Sequence, residues 1–195
     1  TIGLASQGMF IPTNPYWRLQ DTIRVYLHRV DLPNIVVDSA ITTMGGNGVS
    51  NALLFNRSLD GNYYRVVKHR NSIRTWSNIG VGYTRGSSSH HNFIQPDGQA
   101  YGNNQAVVST TPLYRGMWSG DVDQDGFVDG FDLLRIDNDA ALFIGGYVVT
   151  DITGDNFVDG TDFAMADNNA ALFVSEVAPP GAAPLIQPNV QELEK

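Results

Sequence analysis

One pattern constrains this chain more than any other: a stretch that repeats itself thirty residues later. Laid over each other without gaps, residues 121–144 and 151–174 agree at 13 of 24 positions. The shared residues are Asp, Phe-Val, Asp-Gly and Asp at fixed offsets, followed by a common DN…AALF tail. Repetition at a fixed period means one supersecondary unit used twice. Whatever the first copy folds into, the second must be able to fold into as well.

The offsets say what the unit holds. Counting from Asp121, oxygen-bearing side chains fall at positions 1, 3, 5, 9 and 12: Asp121, Asp123, Asp125, Asp129 and Asp132. A hard cation such as Ca²⁺ takes about six to eight oxygens, which a twelve-residue loop supplies from positions 1, 3, 5, 7, 9 and 12. Position 7 contributes a backbone carbonyl, here that of Phe127, with the ring expected to pack away from the ion. Gly126 at position 6 lets the backbone turn sharply. The second copy offers Asp151, Thr153, Asp155, Phe157 (through its carbonyl), Asp159 and Asp162, with Asn156 in the glycine slot. Asn is the next most tolerant residue for a left-handed backbone. Two copies at one spacing argue against mere exposed turns, so two Ca²⁺ per chain are expected. Val128 and Val158 at position 8 are expected to pair the two loops directly.

SGDVDQDGFVDGFDLL and TDITGDNFVDGTDFAM resemble the duplicated loop–helix unit of type I dockerins. In that family the helix before each loop is absent and Asp, not Glu, closes the site. The resemblance covers roughly 118–175 and implies the ligand set just given. The chain departs from the pattern at positions 10 and 11, often Ser-Thr in dockerins, which are Gly130-Phe131 and Gly160-Thr161 here. The segment GNYYRVVKHRNSIRTWS, followed by QAYGNNQ and the double loop, resembles a module near the C-termini of large secreted surface proteins of environmental bacteria. GNYYRVV is also similar to a strand of transthyretin-like or Cna-B-like sandwiches.

Charge supports a metal site rather than an acidic surface. Of the 20 acidic residues nine are loop aspartates, leaving 11 against 12 basic ones. No Lys/Arg cluster argues for nucleic-acid binding, and no apolar run is long enough for a transmembrane segment. With no cysteine, cross-linking by disulfides is excluded, and calcium would have to supply it. The start at Thr1 is what removal of an export signal would leave. The expectation is an extracellular protein, secreted or at the cell surface.

Taken in order, the chain predicts four parts. Residues 1–20 form an extended arm whose Ile2, Leu4, Met9 and Phe10 either cover a core as an edge strand or dock onto a neighbour. Residues 21–115 carry about seven short strands between turn signals, which predicts a mainly β fold, an Ig-like or transthyretin-like β-sandwich. Ile23, Val25 and Leu27 alternate with Arg24, Tyr26 and His28 as in a half-buried strand, and Asp60-Gly61-Asn62 signals a hairpin. Residues 116–177 are the calcium-binding unit, in which Leu133, Ile136 and Ala140, repeated as Phe163, Ala166 and Ala170, predict short helices. Asp137-Asn138 and Asp167-Asn168 are expected to cap or break them. Residues 178–195 form a Pro-rich tail, with Leu185, Ile186, Val190 and Leu193 as its apolar residues.

No nucleophile elbow, P-loop or HExxH occurs, and His90-His91 beside three serines reads as a polar loop. The chain is therefore expected to be no enzyme. Tyr16, Trp17, Tyr63, Tyr64, Trp76, Tyr83, Tyr114 and Trp118 read as packing before they read as a sugar platform. Trp118 is expected to pack the double loop against the sandwich. Two functions follow. One is a calcium-binding structural protein that self-assembles as a homo-oligomer or head-to-tail filament through its terminal arms. The other is an attachment module for a protein or carbohydrate partner.

Overall fold

The structure is a computed structural model that describes residues 1–12, 18 and 20–182. The described strands are β1 (Ile2–Gly3), β2 (Asp21–Arg29), β3 (Val36–Met44), β4 (Gly61–His69), β5 (Ser72–Trp76), β6 (Val81–Tyr83), β7 (His91–Asn92), β8 (Ala106–Thr110) and β9 (Leu113–Gly116). Two helices follow, α1 (Gly130–Ala141) and α2 (Gly160–Ala171). The fold is mainly β, with several sheets and two short helices.

The largest sheet runs β3-β2-β4-β5, with β6 continuing beside β4. Alternation explains its central strand: Ile23, Val25 and Leu27 are buried, while Thr22 is exposed and Arg24 and Tyr26 half-buried. Period-two burial sends one apolar row to one face, and Val25 sits opposite Val67 of β4 and Ala40 of β3. The hairpin expected at Asp60-Gly61-Asn62 does not form between neighbours. Gly61 opens β4, which pairs with β2 on the side away from β3. The local turn signal is real, but the strand before it already has its partner, so the chain crosses over instead of folding back.

The N-terminal arm belongs to its own core. β1 pairs in parallel with β7, the Leu4 amide donates to Gly48 O at 2.8 Å and the Met117 amide to Ala5 O at 2.8 Å. Ile2, Leu4 and Met9 are fully buried with Ile23, Val25, Met44, Val67, Phe93 and Met117. Each such side chain contributes on the order of 1.5–3 kcal/mol when removed from water. Of the two expectations for the arm, the structure carries the core-covering one. Residues 1–12 pack within the single chain of this structure. Residues 183–194, the other arm, lie outside the described residues, as do Tyr16 and Trp17.

A second core joins the repeated units to the sheet. It gathers Val122, Val128, Ile136, Ile152, Val158, Ala166 and Val174 around Ile73 of β5, with Trp118 packed against it. Trp118 thus sits where the sequence places it. Each helix begins earlier than the apolar spacing suggests because Asp129 and Asp159 cap it. Their side chains accept from the amides of Phe131 and Thr161, and Asp132 and Asp162 reach back to the cap amides. This reciprocal arrangement satisfies donors that a helix end leaves open. Asp137-Asn138 and Asp167-Asn168 neither cap nor break; they lie on the exposed face, inside the helices.

Candidate metal centre

In the first loop the positive φ values fall where the spacing requires them, at Gly126 (φ 95°) and, two residues earlier, at Gln124 (φ 65°). In the second they fall at Asn156 (φ 71°) and Gly154 (φ 69°). The turns aim acidic groups inward. Asp121 and Asp132 are buried and Asp123 half-buried, and one oxygen from each lies within 4.8 Å of the others. Asp132 is held from behind: Oδ1 accepts from the Val122 amide at 2.8 Å and the Asp123 amide at 3.2 Å, and Oδ2 from the Asp129 amide at 2.9 Å. Oδ1 of Asp121 is buried without a hydrogen-bond partner among the described residues.

Three carboxylates in so small a space repel. Burial first, then the charges of Asp132, Asp125 and Asp123, push the Asp121 carboxyl up to about 8. Burial also raises Asp132, against the backbone amides that favour its charged form. A divalent cation would reverse both effects, since it offers the charge that the site lacks. The donor set is all oxygen, which suits Ca²⁺ or Mg²⁺ rather than a softer metal. The remaining expected ligands stand at the rim. Asp125 is exposed and accepts from the Phe127 amide at 2.9 Å, and Asp129 is the helix cap. The Phe127 ring does not pack away; it is exposed, as is that of Phe157.

The second loop is built alike but satisfied differently. Asp162 accepts from the Ile152, Thr153 and Asp159 amides at 2.8, 2.9 and 3.0 Å. Asp151 accepts from the amides of Gly154, Asp155 and Asn156 at 2.8, 3.2 and 3.2 Å. Asp155 bonds the Phe157 amide at 3.1 Å and Asp159 caps α2. Among the described residues no three carboxylates of this loop converge as those of the first do. The hydroxyl of Thr153, however, is buried without a partner, at the position where the first loop has Asp123. An orphaned oxygen there fits a cation ligand.

The position-8 valines do not pair with each other. The Val128 amide donates to Val174 O at 2.9 Å, and that of Val158 to Ile144 O at 3.0 Å. Each loop is therefore closed by the residue that follows the other unit's helix. Sequence reading also missed three residues that anchor the loops. Asn71 accepts from the Gly120 amide at 2.8 Å and donates from Nδ2 to Asp151 O at 2.9 Å, touching both loops. Gln7 Oε1 accepts from Asn169 Nδ2 at 2.7 Å, tying the arm to α2. Glu176, after the second unit, accepts from Trp76 Nε1 at 2.6 Å and pairs with Arg74. These contacts join residues 49 or more positions apart in sequence, and no local pattern announces them.

No family model matches the chain, and neither does any curated protein or solved structure.

Proposed function

We propose that the chain is a non-catalytic, extracellular calcium-binding structural protein, in which two Ca²⁺ ions hold a dockerin-like pair of loop–helix units against a β-sandwich. The observation that carries this reading is the convergence of Asp121, Asp123 and Asp132 with a buried, unpartnered oxygen on Asp121. Calcium would neutralise that crowding and complete the loops through the Phe127 and Phe157 carbonyls, Asp125, Asp129, Asp155 and Asp159. Millimolar calcium outside the cell suits such modules. Calorimetric titration of the metal-stripped chain tests it: two Ca²⁺ per chain are expected, and no binding, or a preference for Mg²⁺, would refute it.

Self-assembly is the second part of the proposal. It finds support in side chains the repeat leaves in solvent: Leu142 and Phe143 after α1 are 71% and 91% exposed, Leu172 and Phe173 after α2 66% and 88%. Exposed apolar groups at related positions suit an interface. The same rings favour the alternative, an attachment module that meets a different protein or a carbohydrate. Light scattering on the calcium-loaded chain and on Phe143→Ser/Phe173→Ser separates the two. Oligomers that the double variant dissolves support self-assembly, and a monomer at every concentration supports attachment.

A further inference from the structure

A second charged site lies in the β part of the molecule, away from the loops. A cavity of about 660 Å³ opens between the chain start, the β3–β4 connection and the segment after β6. Val25, Leu53, Phe55 and Tyr83 supply apolar wall, Arg65 and Arg85 line it, and no acidic residue does. Such a volume falls in the range of small-molecule sites, about 300–1,000 Å³.

Arg65 is the unusual member. It sits on β4, 5% exposed, and among the described residues its side chain bonds only through Nη2, to Gly82 O at 3.3 Å and Ser89 Oγ at 2.6 Å. Among the described residues no carboxylate lies within ion-pair distance of it. The neighbouring arginines differ: Arg74 pairs with Glu176 and Arg70 with Asp21. Burying a guanidinium without an anion is costly, yet this one is buried, in a chain with a net charge of −8. Its field also reaches the histidines behind it. Burial and then Arg65 hold His91 down to about 4, so that imidazole stays neutral and adds no second positive charge.

We propose that this cavity binds a small organic carboxylate with an apolar body. The carboxylate pairs with the Arg65 guanidinium, whose fork matches a planar anion, and Ser89 donates beside it. Arg85 adds positive charge at the rim, and the apolar body lies against Leu53, Phe55 and Tyr83. A phosphate group would bring about two charges and three acceptor oxygens, more than one buried guanidinium and a hydroxyl can satisfy.

Titration of the calcium-loaded full chain with 4-phenylbutyrate, its neutral amide and inorganic phosphate, followed by calorimetry and NMR, tests the proposal. The acid should bind saturably, one per chain, and the amide at least about tenfold more weakly, since a charge-assisted bond is worth that much or more. Arg65→Met should lose at least about tenfold. Leu54→Glu, at a cavity position 75% exposed, should lose a similar amount and supplies the comparison if Arg65→Met fails to fold. Absence of saturable binding, equal affinity for the amide, phosphate alone binding as tightly as the acid, or unchanged affinity in a folded variant would each overturn it.

Discussion

Nη2 of Arg70 stands 4.0 Å from Oδ2 of Asp151, the first position of the second loop. The side chain is 10% exposed, and its Nε also pairs with Asp21 at 3.1 Å. The first loop has a cation nearby too, Arg135 at 3.9 Å from Asp123, but that side chain is 56% exposed and screened by solvent.

The two loops should therefore bind calcium unequally. A buried guanidinium competes with Ca²⁺ for Asp151, and Thr153 stands where the first loop has a carboxylate. Residues 121–132 should bind about tenfold more tightly or better, given how ligand charge tunes such loops. Calorimetry on Asp123→Asn and Asp155→Asn, one ligand removed from each loop, checks the order. Loss of the tighter step in the second variant only would contradict it.

Calcium should stabilise the whole chain in one transition. Ile73 of β5 is buried in the loop core, and a Cβ at Gly154 would meet Met9 Cγ at 3.1 Å, so the loops and the arm are in contact. Ions at a hundred times their dissociation constant add about 2.7 kcal/mol per site. Calorimetric scans with and without EDTA should show a single peak that moves. A second, calcium-insensitive peak would mean that the strands melt by themselves.

Ile73→Ala should weaken calcium binding although the Ile73 side chain has no oxygen to offer an ion. A large-to-small change in a packed core costs about 2–5 kcal/mol, and here the loss falls on the cluster that supports both loops. Melting temperature and calcium affinity measured on one preparation read it. Unchanged affinity in a destabilised protein would show that the two are not coupled.

Asp21 should be a stabilising carboxylate that fails in acid. Burial alone would raise its carboxyl, but the hydrogen bond and charge of His69, with Tyr147 and Arg70, outweigh it and hold the group below its ordinary value. A depressed carboxyl contributes stability above its unfolded value of 3.8, and that contribution is lost as pH falls through the lower folded value. Asp21→Asn should cost about 3–5 kcal/mol near neutral pH, as breaking a buried pair does. Urea melts from pH 7 to pH 2 should show the difference from the unaltered chain shrinking only below about pH 4. A difference independent of pH would rule this out.

His91 should make the chain acid-sensitive over a higher range. A histidine whose folded value is about 4 instead of 6.5 binds its proton more readily when unfolded. Stability should then fall by roughly 3 kcal/mol as pH drops from 6.5 towards 4. His91→Gln, melted in excess calcium, should lose most of that slope. An identical slope in the variant would place the titration elsewhere.

The sequence showed what is local. The loop spacing, the left-handed turns at Gly126 and Asn156, and the row of Ile23, Val25 and Leu27 are each set by neighbours a few residues apart. What it could not show depends on distant partners. Asp60-Gly61-Asn62 has the composition of a hairpin turn, but β4 already had β2 to pair with. The Val128 amide needed a carbonyl, and two loops of equal appearance gave no sign that Val174 would provide it. Arg65 looks like any outward residue of a strand, and only the folded chain reveals that no acid follows it inside.

The exchange of closing residues has one more consequence. Val174 completes the first loop and Ile144 the second, so the two units are clasped like interlocked fingers. A gene fragment ending after α1 would encode a loop without its latch, and one starting at Tyr147 would have the same defect in reverse. Neither half of the repeat is thus complete without the other.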